Sequence, residues 1–195
     1  GKLDMGEMEL NKKPTGLSLF FRRYLAQFES LAQRKEIDFA FEIHPDDHLI
    51  VQIDQAKCRQ ILYNLLSNAF KFTPPGGKIR AEVSVEDGNL QLIVSDSGPG
   101  IHPDDLPHLF DRFFQTNRPD KPVEGGTGIG LALCHEYAQL FGGKIEVESE
   151  PGQGALFRIT FPVEIAEAPS PNANKESVLP ESLPDDSPPP SSDGT

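Results

Sequence analysis

A chain of 195 residues with a formal net charge of −12 and a pI near 4.8 lacks the basic face that nonspecific nucleic-acid binding requires, and its acidity does not favour an anionic membrane surface. Its length fits one domain with an appendage, and a hydrophobic fraction of 37%, below the globular norm of about 45–50%, marks part of it as unable to fold. Two cysteines, Cys58 and Cys134, lie far apart; they exclude a disulfide framework or zinc cluster and read as buried free thiols of a reducing compartment.

Residues 1–14, "GKLDMGEMELNKKP", have weak periodicity and read as a residual linker from an upstream segment. Leu17, Phe20, Phe21, Tyr24, Phe28 and Leu31 then recur at helical spacing. Ile37, Phe39, Phe41 and Ile43 alternate as in a half-buried strand, and "HLIVQI" predicts another. Asp54 caps a second helix with Ile61, Leu62, Leu65, Leu66, Ala69 and Phe72 on its apolar face, and "PPGG" stops it. Two further strands follow, Ile79–Val85 and Leu90–Val94, joined by "EDGN". A third helix is expected from about Gly128 to Phe141, ending on Gly142-Gly143. Ile145 and Val147, then Phe157, Ile159 and Phe161, predict a closing hairpin around "PGQG". From Glu164 the composition turns to proline, serine and acid: seven prolines, and seven acids against Lys175 alone, which is half the net charge. Such a segment buries too little apolar area to offset its ordering entropy and reads as a disordered tail over 164–195. The folded unit is therefore expected at 15–163, as a two-layer α/β sandwich: a mixed, mostly antiparallel sheet packed on about three helices. With no signal peptide and no apolar run of the roughly 18 residues a span needs, this stretch reads as soluble, whether or not its parent is membrane-bound.

Several stretches carry possible chemistry. Asn64, Asn68 and Lys71 fall at i, i+4 and i+7, on one face of the second helix. That stripe is either a solvated face or a site in which an amide oxygen binds Mg²⁺ and a lysine meets a phosphate. In "VSDSGPGI" (94–101) a strand ends on Asp96, and Gly98 and Gly100 flank a proline. This is a plain turn or, if the strand end opens into a pocket, a carboxylate able to accept a hydrogen bond from the exocyclic amine of adenine, which guanine's carbonyl cannot supply. Residues 106–130 form a long loop without period whose Phe110, Phe113 and Phe114 are too apolar for it to be wholly solvated. It ends in "GGTGIG" (125–130), either a tight turn or a phosphate-binding loop opening a helix.

In this order the motifs acquire a specificity that none has alone. The chain resembles the catalytic ATP-binding domain of bacterial sensor histidine kinases, a branch of the family that also holds gyrase-, Hsp90- and MutL-type ATPases. "NLLSNAFKFTPPGGKI" is similar to the family's N box, "DSGPGI" to its G1 box, "LFDRFFQ" to its F box and "GGTGIGLAL" to its G2 box, over roughly Pro14 to Val163. The resemblance implies that Asn68 ligates Mg²⁺, with Asn64 beside it and Lys71 near the phosphates. It implies that Asp96 reads the adenine amine, with Gly98, Gly100 and Ile101 shaping that wall. Phe110, Arg112 and Phe113 would anchor an ATP lid, with Arg112 and Gln115 toward the phosphate end. Gly126, Thr127, Gly128, Ile129, Gly130 and Leu131 would form its hinge and triphosphate edge.

Where the ATP-hydrolysing relatives place a water-activating Glu four residues before the metal-binding Asn, this chain has Asn64, whose amide cannot serve as a general base. The site therefore reads as one that holds ATP without hydrolysing it quickly, its γ-phosphoryl awaiting another nucleophile. The resemblance implies as acceptor a histidine in an upstream "H-E-L-R-T-P"-like helix, with onward relay to a response regulator. None of His44, His48, His102, His108 and His135 has that context; His135-Glu136 opens like it but lacks the Arg and Pro and reads as a structural or surface histidine. The chain is thus expected to begin just after the acceptor helices of a cytoplasmic kinase module, and to autophosphorylate poorly or not at all on its own.

Overall fold

The computed structural model describes residues 9–114 and 130–166. Its frame is a five-stranded sheet of β2 (Asp38–His44), β4 (Lys78–Glu86), β5 (Asn89–Asp96), β7 (Ala155–Pro162) and β6 (Lys144–Ser149), in the order β2-β4-β5-β7-β6. Only β2 and β4 run parallel; the other neighbours are antiparallel. Register sorts the side chains into two faces. Ala81 lies opposite Val94 and Val83 opposite Leu92, while Leu92 faces Ile159 and Val94 faces Phe157. All six are buried. The alternating residues Arg80, Glu82, Gln91, Arg158 and Thr160 occupy the other face, so helices cover the sheet on one side only. The expected two-layer architecture is the one observed.

Among the described residues four α-helices supply the second layer: α1 (Leu17–Ala26), α2 (Glu29–Lys35), α3 (Gln55–Phe72) and α4 (Gly130–Leu140). The first predicted helix is two. The chain breaks at Gln27–Phe28, and Phe28 turns inward to stack on Phe70 of α3 at 5.8 Å. That contact spans 42 sequence positions, which helical periodicity cannot register.

α3 is the central element. Its N-cap Asp54 is buried and accepts the Lys57 N–H at 3.1 Å and the Asn11 N–H at 2.9 Å. The helix stops where Thr73 Oγ1 donates to the Ala69 carbonyl at 2.7 Å, just before Pro74. Cys58 and Cys134, on α3 and α4, are both buried free thiols, and burial pushes the Cys134 thiol up to about 12.

A second, three-stranded sheet has the order β1-β3-β8, with β1 (Lys12–Gly16), β3 (Ile50–Asp54) and β8 (Glu164–Ile165). Lys12–Pro14, which show no strand pattern, are extended because β3 supplies their backbone partners. Pro14 is tolerated because β1 is an edge. Glu164 and Ile165, read from composition as the start of the tail, pair with Gln52 and Val51.

Candidate functional site

Asp96 closes β5 opposite Ile79 on one side and Ala155 on the other. Two-residue alternation puts it on the same face as Leu90, Leu92 and Val94, the face the helices cover. It is therefore a carboxylate at the end of an apolar column. Burial pushes its pKa above the ordinary carboxylate range, against the opposing effect of hydrogen bonds from the Gly98 and Ala155 backbone. The Gly98 N–H donates to Oδ1 at 2.9 Å and fixes the carboxylate.

Glycines let three backbones crowd this strand end. A Cβ on Gly98 would come within 2.9 Å of the Phe72 carbonyl of α3. Gly154, at φ +82°, lies so close beneath the Asp96 carbonyl that a side chain there would overlap it. The loop after Asp96 is pinned from β6, where Ser149 Oγ accepts the Ile101 N–H and donates to the Gly154 carbonyl, both at 2.8 Å. Gly100, at φ +77°, packs against the Glu150 carbonyl in the same corner.

α3 carries the polar stripe beside this corner. Asn64, Asn68 and Lys71 are all half-buried, and Lys71 Nζ lies 5.4 Å from the Phe72 ring centroid. At the C-terminal end of the stripe, the Phe72 carbonyl meets Gly98; at its N-terminal end, Gly130, the first residue of α4, meets Asn64. A Cβ on Gly130 would lie 3.2 Å from Asn64 Oδ1. The described parts of three motifs therefore converge on a little over two turns of one helix. Leu131 and Ile101 are half-buried and pack on the core at either side.

Residues 106–114 pass over α4. A short 3-10 turn, Leu106–His108, leads to Phe110, whose ring stacks on His135 at 5.4 Å and 15°. Arg112 Nε donates to Glu136 Oε1 at 2.9 Å, and its Nη2 meets the same oxygen. Phe110 and Arg112 thus tie this segment to adjacent positions on α4, whereas Phe113 is 69% exposed. His135 is a stacking partner here. Gln115, Gly126, Thr127, Gly128 and Ile129 lie outside the described residues.

Ser149 and Gly154 border the candidate site without having been singled out from the sequence, and Glu136, met there only as the neighbour of His135, holds Arg112. Glu136 sits 24 positions from Arg112, and Gly154 lay inside a hairpin read only as a turn. Among the described residues no group of three or more His, Cys, Asp or Glu is arranged to hold a metal ion, and no helix is long and apolar enough to cross a membrane.

Residues 53–165 match the family model described as histidine kinase-, DNA gyrase B- and HSP90-like ATPase. The sensor histidine kinase TmoS of Ectopseudomonas mendocina is 41% identical over 167 residues, 85% of this chain and 17% of that protein. Full-length ShkA, solved in complex with AMPPNP, superposes with a TM-score of 0.72 at 32% identity, over 84% of this chain and 34% of that one. The nucleotide-free catalytic domain of histidine kinase ThkA gives 0.66 at 30% identity, over 80% and 98%. ThkA has also been solved in complex with the response regulator TrrA; that structure gives 0.64 at 28% identity, over 78% and 42%.

Proposed function

From the premise that this chain belongs to the family of histidine kinase-, DNA gyrase B- and HSP90-like ATPases, we propose that it is the catalytic ATP-binding unit of a two-component sensor histidine kinase. It donates the γ-phosphoryl group of ATP to a histidine on a dimerisation and acceptor domain, for relay to a response regulator. In this reading the catalytic unit runs from β1 to β8, residues 12–165, wider at both ends than the expected 15–163 because both strands pair with β3; the link to the acceptor helices precedes it, the acidic tail follows it, and the compartment is the cytoplasm. The AMPPNP bound to ShkA and the response regulator bound to ThkA are properties of those proteins, and both support the assignment.

The observation that carries the reading is the corner built around Asp96. A carboxylate on the covered face, held by the backbone N–H groups of Gly98 and Ala155, presents an acceptor to the adenine amine beside a helix bearing two amides and a lysine. The amide oxygen of Asn68 is a hard donor. Mg²⁺ is commonly held by few protein ligands together with substrate phosphates and water, so an Asn-based donor set fits it without a carboxylate cluster. Held there by Asn68, Mg²⁺ would supply charge neutralisation on the phosphates. Asn64, wedged against Gly130 and unable to take a proton from water, leaves the γ-phosphoryl to an incoming imidazole. A nitrogen–phosphorus bond forms as the bond from that phosphorus to the ADP oxygen breaks. What this protein contributes is positioning.

Calorimetric titration with ATP and GTP tests the carrying observation. ATP should bind and GTP should not, and Asp96→Asn should lose the preference. Equal affinity of the parent for both nucleotides would refute it.

A further inference from the structure

A cavity of about 420 Å³ opens between the C-terminal end of α1, Phe28 and the outer side of α3, and closes on Leu133 of α4. Asn64 forms its inner edge. Its walls are aromatic: Tyr24 and Phe28 on one side, and Tyr63 on the other, 62% exposed and 6.1 Å from the Phe28 ring. Among the described residues no carboxylate lines it, although the chain carries 30 acidic residues against 18 basic ones. Its charge is the Arg59 guanidinium, 5.7 Å from the Tyr24 ring centre and with Nη1 3.5 Å from the Tyr24 hydroxyl. Arg23 lies over the same ring, also at 5.7 Å.

We infer that this groove is the docking surface for the phosphoryl acceptor, which places an acidic side chain against Arg59 and apolar side chains between Phe28, Tyr63 and Leu133. The inference rests on the kinase reading and adds the surface that selects the substrate. Two features point to this occupant. The groove is cationic on an acidic molecule, so it attracts what the rest of the surface repels. It is also continuous with Asn64, so a segment seated in it ends beside the proposed phosphate end of α3. An exposed tyrosine and an arginine held against the Tyr24 ring are the residue types that dominate binding hot spots.

The test supplies the kinase's own histidine-bearing domain in trans with γ-labelled ATP, and measures the rate of labelling against acceptor concentration. Arg59→Glu and Tyr63→Ala should each raise the KM for the acceptor about tenfold or more, as loss of a hot-spot contact does, with ATP affinity unchanged by calorimetry. Arg34→Glu, an exposed charge reversal on α2, should leave both unchanged. Lowering the salt should tighten the parent's KM but not that of Arg59→Glu. Unaltered acceptor KM in Arg59→Glu and Tyr63→Ala, with the parent labelling normally, overturns the docking surface. So does an equal rise in Arg34→Glu. A parent that binds ATP but labels no acceptor at all overturns the kinase reading itself.

Discussion

At the scale of single residues, Asp96 and the helix cap Asp54 shift in opposite directions. Burial raises the pKa of Asp96, so the folded state holds that proton more tightly than the unfolded chain. Ionised Asp96 therefore costs stability above its raised pKa, and the cost disappears as pH falls through it. An asparagine keeps the acceptor for the Gly98 N–H without the charge. Asp96→Asn should consequently leave the thermal midpoint unchanged or higher while ATP affinity falls about 10–100-fold, the loss expected when a hydrogen bond to a charged group is removed. Calorimetry and a melting curve on the same sample check both. Parent ATP affinity should also begin to fall at a pH above the ordinary carboxylate range. Asp54 is the reverse case. Burial pushes its pKa up, but the N–H groups of Asn11 and Lys57 and the Lys57 ammonium outweigh this and hold it low. Its contribution is present above the unfolded carboxyl value, about 3.9, and is lost as pH falls through the folded one. Asp54→Ala should cost about 1–2 kcal/mol in urea unfolding at neutral pH, and the gap to the parent should narrow in acid. Asn68→Ala should bind nucleotide with little dependence on Mg²⁺; a Mg²⁺ dependence equal to the parent's would remove Asn68 from the metal site.

Among elements, α3 organises the site because sheet and helix each meet it through a glycine: Gly98 at the Phe72 carbonyl and Gly130 at Asn64. Gly154→Ala tests how tightly the corner around Asp96 is packed. It forces a side chain into a left-handed backbone conformation against the Asp96 carbonyl, and should destabilise the protein by more than about 2 kcal/mol, read as a lower denaturation midpoint. This scale also separates what was legible in the sequence from what was not. α3, β4 and β5 follow from spacing because each has a strong internal period and one buried face. The break between α1 and α2, and strand β1, are imposed from outside, by Phe70 and β3, and leave no local signal. Within the site, the order of the Asn, Asp and Gly motifs was readable because each is contiguous. The ion pair of Arg112 with Glu136 and the Ser149 bridge join segments 24 and 48 residues apart, and neither has a periodic signature.

For the whole molecule, a sheet covered on one side leaves a single layer of helices, and the described walls of the proposed nucleotide site come from β5, α3 and α4. The chain covers 17% of TmoS, so the rest of the phosphotransfer machinery is proposed to lie on other domains, with the carboxylate-free groove beside Tyr63 as the contact. On the proposed reading, the amide of Asn64, which cannot act as a general base, separates a kinase from a hydrolase. The decisive measurement incubates the chain with γ-labelled ATP, alone and with the histidine-bearing domain, and follows both free phosphate and labelled protein. The kinase reading predicts slow phosphate release throughout and label on the acceptor histidine only when that domain is present. Steady phosphate release by the chain alone, with the acceptor left unlabelled, would contradict it.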